Sequence, residues 1–269
     1  MTTLDKPIAV GRTAEVYAWD GQQVLKLYRD WCPPHWVDFE ARVGRIVQDA
    51  ALPVPAVGDI VEINGRRGLV YERLEGVSMF RALVARPWTI SRFGRQMAEL
   101  HAAMHAIQSP SDLPDQRGRF KGAIERARAL PDDLRRKALA VLDACPDGDR
   151  LCHGDFHPDN VLMTARGPII IDWMTASRGD PLGDVARTLL LMTVGEPPTG
   201  TLIRLLTRLL RGRMRAAYVK RYFELRPEGR ERLGKWLVVA FAARLAEDIK
   251  GEAEQLIAFV KRETQFHAP

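Results

Sequence analysis

His153-Gly154-Asp155-Phe156-His157-Pro158-Asp159-Asn160 leads into Val161-Leu162-Met163, then Thr164-Ala165-Arg166-Gly167, then Pro168-Ile169-Ile170-Ile171, and ends at Asp172-Trp173. An apolar run, turn residues and a second apolar run make the pattern of a β-hairpin. In an antiparallel hairpin the residue before the first strand and the residue after the second meet at the same open end. The pattern therefore predicts Asn160 beside Asp172, an amide oxygen next to a carboxylate. Mg2+ favours such a pair, taking one or two protein oxygens and completing its octahedron with waters and substrate phosphates. Asp155, five residues upstream of Asn160, is expected within reach of a group bound at that metal. Singly, each residue is unremarkable, because loop Asp and Asn are turn and capping residues by default. His153 and His157 read as loop-shaping or hydrogen-bonding residues, since nothing around them completes a tetrahedral metal set. The joint spacing H-x-D-x-x-x-x-N with a hairpin-spaced Asp is what carries information.

Composition sets the frame. The chain has 269 residues, 46% hydrophobic and 28% charged, with a formal net charge of +6. A chain this apolar buries enough surface to offset its ordering entropy, which excludes disorder. The apolar stretch Leu237 to Ala243 ends at Arg244 and is far shorter than the roughly 18–20 residues of a membrane span. The opening Met1-Thr2-Thr3-Leu4-Asp5-Lys6-Pro7 lacks the basic-then-apolar pattern of a signal peptide. Cys32, Cys145 and Cys152 are odd in number and without CxxC spacing, so free thiols in a reducing cytoplasm are expected. The net charge of +6 leaves nucleic acid or a phosphorylated ligand open and decides nothing alone, and a nucleic-acid partner, suggested by the sequence pI of about 9.4, is a distant reading.

The texture changes along the chain. Ile8–Val10, Ala14–Trp19 and Gln23–Tyr28 read as strands, with Asp20-Gly21 as a tight hairpin turn. A helix is expected from Trp36 to Ala51, with Phe39, Val43, Ile46 and Ala50 as its apolar face, and Pro53 and Pro55 stop it. Val57–Ile63 and Gly68–Arg73 form a further strand pair, turned by Asn64-Gly65. From Ser78 the pattern is helical: Ser91–Ile107, a breaker-rich loop Ser109–Gly118, a stretch Gly122–Ala144 interrupted at Pro131, and a C-terminal block. Two lobes follow, 1–75 and 76–269.

The quoted segment resembles the catalytic loop of the protein-kinase-like superfamily. It is more similar to the aminoglycoside phosphotransferase and choline kinase branch, where His-Gly-Asp opens the loop and the second metal-binding Asp precedes Trp or Phe. The resemblance implies a two-lobed α+β kinase-like fold, with a small antiparallel sheet and one main helix in the first lobe and a larger, mostly helical second lobe. It implies a small-molecule kinase using ATP or GTP, with Asp155 catalytic and Asn160 and Asp172 holding Mg2+. Lys26, on the third strand, falls where the family places the lysine that contacts the α/β-phosphates. Alternation puts it on one strand face with Val24 and Tyr28. Its expected partner is a Glu on the next helix, and Glu40 is preferred to Asp38. Val10-Gly11-Arg12-Thr13 takes the place of the glycine-rich loop, keeping only Gly11, with Thr13 offering a hydroxyl to phosphate. Tyr71-Glu72-Arg73-Leu74-Glu75-Gly76 reads as the hinge, giving Glu72 and Leu74 to the adenine.

Other features divide the alternatives. Asp180 before Pro181 is an N-cap with Pro at the first helical position, and the family gives it a role bracing the catalytic loop. The seven residues between Asp172 and Asp180 are too few for a polypeptide-docking activation segment, so the expected acceptor is a small hydroxyl compound: a sugar, a hydroxylated metabolite or an antibiotic. His101 and His105, at i and i+4, could bind zinc, but the Glu of HExxH is missing and a helix-packing role is favoured. From Thr201 to Pro269 there are fifteen Lys and Arg against eight Asp and Glu. That surplus, partly a solvated face carrying Arg204, Arg208 and Arg211, tilts the acceptor toward a neutral or anionic sugar or metabolite and away from cations. The alternative is a non-catalytic pseudokinase, suggested by the thin glycine loop.

Overall fold

The computed structural model describes residues 4–194 and 201–267, with 201–204 described by backbone alone. In chain order the elements are β1 (Ala9–Val10), β2 (Ala14–Trp19), β3 (Gln23–Tyr28), α1 (His35–Asp49), β4 (Val57–Ile63), β5 (Arg66–Glu72), β6 (Gly76–Ser78) and α2 (Met79–Ala85). Then come α3 (Ile90–Met104), α4 (Gln116–Arg126), α5 (Asp132–Asp143), β7 (Arg150–Cys152), β8 (Val161–Thr164), β9 (Gly167–Ile170) and β10 (Ser177–Gly179). The chain ends with α6 (Pro181–Leu191), α7 (Thr201–Leu225), α8 (Leu233–Arg244) and α9 (Ala253–His267). Two compact units result: Met1–Ala82 with Pro158–Thr175, and Leu83–His157 with Ala176–Pro269.

The first unit is built on an antiparallel five-stranded sheet ordered β1-β2-β3-β5-β4. Its tight turns use positive φ at Gly21 (61°) and at Asn64 (51°) and Gly65 (77°), the last two matching the hairpin turn whose twist fits the flanking strands. Period-2 alternation on β3 sends Leu25 and Leu27 to one face, with Tyr17, Ile63 and Val70. Tyr28 goes to the other, with Ala14, Val37, Ala41 and Leu69. Each fully buried Leu contributes about 1.5–3 kcal/mol. Helix α1 packs on β4 and β5. Its buried residues are Val37, Glu40, Ala41, Val43, Gly44 and Val47, so the face expected from Phe39, Val43, Ile46 and Ala50 is rotated. The cause is Glu40, an acid on the inward side, which apolar periodicity cannot register.

A second sheet, β6-β8-β9, carries the hairpin. Strand β6 was not expected. Gly-Val-Ser has no alternation to reveal it, and a Cβ at Gly76 would lie 2.5 Å from the Met163 carbonyl oxygen, so the close pairing with β8 requires glycine.

The second unit is helical. Helix α8 is buried almost all round, at Trp236 and from Val238 to Ala243, so its apolar run is the centre of a core. Helices α4, α5, α6 and α9 pack around it, and α3 packs on α7. No described helix is long and apolar enough to cross a membrane. The expected stretch Gly122–Ala144 is two helices: α4 begins early, at Gln116, because the Asp115 carboxylate accepts the Gly118 N–H at 2.6 Å, and α5 restarts after Pro131. The loop expected to run to Gly118 therefore ends at Asp115.

Candidate active site

In the β-rich unit three charged side chains converge. The Lys26 ammonium donates to both Glu40 oxygens, at 2.8 and 3.0 Å, and to Asp172 Oδ1 at 3.0 Å. Glu40 also accepts from the Tyr71 hydroxyl at 2.9 Å and from the Tyr28 hydroxyl. Burial alone would lower the Lys26 pKa, but Glu40 and then Asp172 outweigh it and hold the ammonium above its ordinary value. Lys26 therefore stays charged throughout the neutral range. Asp38 instead makes a two-pronged pair with Arg67 at the surface, at 2.7 and 2.6 Å.

The hairpin closes as its residue types require. Val161 pairs with Ile170, and the Ile171 N–H donates to the Asn160 carbonyl at 3.0 Å. This last bond places Asn160 and Asp172 at one open end of the ribbon. Asp172 adopts a φ of +67°, a left-handed conformation that Asp tolerates better than most residues, and its side chain is 42% exposed. Amide and carboxylate oxygens are hard donors, so the pair fits Mg2+ and not a thiophilic ion. The loop between β1 and β2 is held by the Gly11 N–H on the Ala14 carbonyl at 2.8 Å and by Arg29, which donates to the Gly11 and Arg12 carbonyls. The Thr13 carbonyl accepts the Arg29 N–H at 2.9 Å. At the end of β5, Glu72 pairs with Arg166 of the hairpin turn at 2.9 Å and its N–H is spent on the Ala56 carbonyl. Leu74 lies half-buried between β5 and β6.

Asp155 belongs to the helical unit. Its Oδ2 faces His157 Nε2 at 3.5 Å and its Oδ1 faces Arg187 Nη2 at 3.8 Å. Burial pushes its carboxyl up, but His157, Arg187 and His153 offset this and hold it below the ordinary carboxylate range. Asp155 is therefore an ionised acceptor at neutral pH. Behind it the loop backbone is fixed by an acid that sequence reading missed. Asp184 accepts the His153 N–H at 2.6 Å and the Gly154 N–H at 2.8 Å. Asp180, given that bracing role by resemblance, instead caps α6 through the Leu182 N–H at 2.7 Å. The spacing explains the exchange: Asp180 precedes the helix and must serve its orphan donors, whereas Asp184 lies inside it and is fully turned into the core. An acid in a helix buried on nearly every side was the available signal.

His101 and His105 complete this centre. Both approach Asp184 Oδ2 through Nε2, at 3.0 and 3.4 Å, while Nδ1 meets the Tyr218 and Tyr222 hydroxyls at 2.6 and 2.7 Å. Both ring nitrogens of each imidazole are occupied, so the pair serves helix packing and loop support. Cys152 is buried nearby and burial pushes its thiol well up, leaving it inert. Arg211, expected on a solvated face, bonds the Thr193 carbonyl at 3.1 Å, and the Arg204 side chain lies outside the described residues.

The model of the phosphotransferase enzyme family matches residues 6–236. The chain belongs to this family. It is a phosphotransferase of the small-molecule kinase kind. No curated protein matches its sequence significantly. Among solved structures it is similar to a thermostable mutant of the aminoglycoside phosphotransferase APH(4)-Ia in ternary complex with AMP-PNP and hygromycin B, at 22% identity and TM-score 0.66 over 97% of this chain and 91% of that one. It is also similar to a choline/ethanolamine kinase family protein from Mesorhizobium loti, at 18% identity and TM-score 0.63 over 98% and 88% of the two chains. A third is an amicoumacin kinase in complex with AMP-PNP and Ca2+, at 15% identity and TM-score 0.61 over 97% and 88%. The phosphotransferase thus has the two-lobed kinase-like fold of these structures.

Proposed function

We propose that this phosphotransferase transfers the γ-phosphoryl group of ATP or GTP to a hydroxyl of a small sugar-like or otherwise hydroxylated compound. The observation that carries the reading is the Lys26–Glu40–Asp172 cluster, in which one ammonium is held between a buried and a solvent-facing carboxylate. Lys26 would contact the α- and β-phosphates, with Glu40 fixing its position. Asn160 and Asp172 would hold Mg2+, which when bound neutralises charge on the phosphates. The backbone around Gly11 and the Thr13 hydroxyl would cover the phosphates, and Glu72 and Leu74 would meet the adenine through main-chain groups. Asp155 would accept the proton of the acceptor hydroxyl as its oxygen bonds to the γ-phosphorus and the bond to the β-phosphate oxygen breaks, releasing the nucleoside diphosphate. The transition state of such transfers is loose, so positioning and electrostatics supply most of the rate. The free thiols of all three cysteines accord with a cytoplasmic setting.

The test is ATP consumption across a panel of hydroxyl compounds, after a thermal-shift scan with ATP and Mg2+. Asp155→Asn should lower kcat by about 10²–10⁴, as for loss of a positioned base, with Tm unchanged. Asp172→Ala should remove the Mg2+ dependence of the nucleotide-induced shift. Nucleotide binding without turnover on any acceptor would favour the pseudokinase reading, and full turnover by Asp155→Asn would sink the role given to that residue.

A further inference from the structure

Arg187 sits on α6, three residues after Asp184, and sends its guanidinium toward the catalytic loop. Nε–H donates to the Gly154 carbonyl at 3.3 Å, Nη1 pairs with Glu247 at 2.6 Å, and Nη2 stands 3.8 Å from Asp155 Oδ1. That last separation is too long for a hydrogen bond. Glu247 is held in turn by Arg244, which grips Glu252 with both prongs of its fork, at 2.8 and 3.1 Å. Charges alternate along this ladder from Asp155 to Glu252. The Arg187 side chain keeps 15% of its surface and Asp155 keeps 33%, so both reach the surface together.

The ladder fixes a guanidinium whose Nη2 stands beside Asp155 without bonding it. A guanidinium cannot lose its proton in a protein and carries only donors. If Asp155 receives the acceptor hydroxyl, as proposed above, a group on the neighbouring carbon of the acceptor falls beside Nη2. An oxygen there accepts a charge-assisted hydrogen bond, whereas an ammonium there meets like charge. Without Arg187 the same surface would present two carboxylates, Asp155 and Glu247, an arrangement that attracts amines. We infer that Arg187 is a specificity-determining residue: it selects acceptors bearing an oxygen, neutral or anionic, next to the phosphorylated hydroxyl, and rejects those bearing an ammonium at that place. The inference rests on the reading of Asp155 as the residue that receives the hydroxyl.

Matched acceptor pairs test it: glycerate against serine, glucose against glucosamine, and glycerol against 2-aminopropane-1,3-diol, each with ATP consumption as readout. For the pairs that turn over, the oxygen member should be preferred in kcat/KM by roughly 10- to 100-fold, the range that one pocket contact supplies. Arg187→Gln should collapse that preference, chiefly through a higher KM for the oxygen member. Arg187→Lys, which keeps the charge, should still reject the amines. Melting curves confirm that the variants fold. An unchanged preference in Arg187→Gln, with turnover still dependent on Asp155, would overturn the inference and leave the phosphotransfer reading intact. A wild-type preference for the amine members, or no turnover of any oxygen member while ATP and Mg2+ still raise Tm, would overturn it as well. The absence of any nucleotide-induced shift would instead bring down the proposed function.

Discussion

Lys26 spends one ammonium on two carboxylates, and the burial of the three groups differs in a way that decides what each mutation does. Glu40 is 2% exposed at its side chain and Asp172 is 42% exposed. Water therefore screens the Lys26–Asp172 contact, and the Lys26–Glu40 contact holds nearly its full strength. Removing the ammonium strands a buried carboxylate, with the Tyr28 and Tyr71 hydroxyls left to serve it among the described residues. Lys26→Met should accordingly cost about 3–5 kcal/mol of stability, the usual penalty for breaking a buried pair. Asp172→Ala should cost well under half of that, because its partner keeps Glu40. Chemical denaturation of both variants checks the ordering. Equal losses would mean that Asp172 is as structural as Glu40. Lys26 meets Glu40 and not Asp38; a Glu partner on the next helix is what the family resemblance implies, and Glu40 was preferred for its place in the first turns beside Phe39 and Val43. The rotation of α1 was not legible, because hydropathy counts that acid as outward.

At the scale of elements, the crossing of α3 and α7 positions the polar centre. His101 and His105 come from α3, and Tyr218 and Tyr222 from α7, each pair one turn apart. Hydroxyl and imidazole meet at 2.6 and 2.7 Å only if the helix axes approach closely. Gly94 permits this: a Cβ there would lie 2.6 Å from the Met214 carbonyl oxygen and 3.1 Å from the Ala217 Cβ. Gly94→Ala should force the helices apart and cost about 1–3 kcal/mol, as overpacking does, despite the better helix propensity of Ala. A thermal melt decides it, and a raised Tm would mean that the crossing is loose. Short alternating strands and glycine turns showed themselves in the sequence, so β2, β3, β4 and the β8–β9 hairpin were found within a residue or two. Strand β6 was hidden, since three residues hold no period. Asp184 was hidden behind Asp180, because a motif assigns a role to a position while only packing shows which acid faces the loop.

Over the whole molecule, buried ionisable groups determine how stability follows pH. Burial, and then the neighbouring His101, hold the imidazolium pKa of His105 down to about 3, although Asp184 pulls the other way. His105 is therefore neutral in the fold, its Nε2–H toward Asp184 and its Nδ1 accepting from Tyr222. In the unfolded chain it titrates near 6.5, so below that pH the unfolded state binds a proton that the folded state refuses. The sign follows: the contribution is fully present above about pH 6.5 and is lost as pH falls, by about 1.4 kcal/mol for each unit until the folded value is reached. Arg226 faces the same imidazole and opposes its protonation further. The Asp184 carboxyl is held well below its ordinary range, with burial opposing and His101 and His105 outweighing it, so its own contribution fades only at still lower pH. Asp155 behaves in the same sense. The interval from pH 7 to pH 5 thus belongs to His105 among these three groups. His105→Gln should cost roughly 1–3 kcal/mol at pH 7.5, because the Tyr222 and Asp184 partners are served less well. It should also flatten the fall of Tm between pH 7 and pH 5, since glutamine has no proton to gain. Melting curves of both proteins across that interval measure the slopes, and parallel slopes would show that some other group refuses the proton.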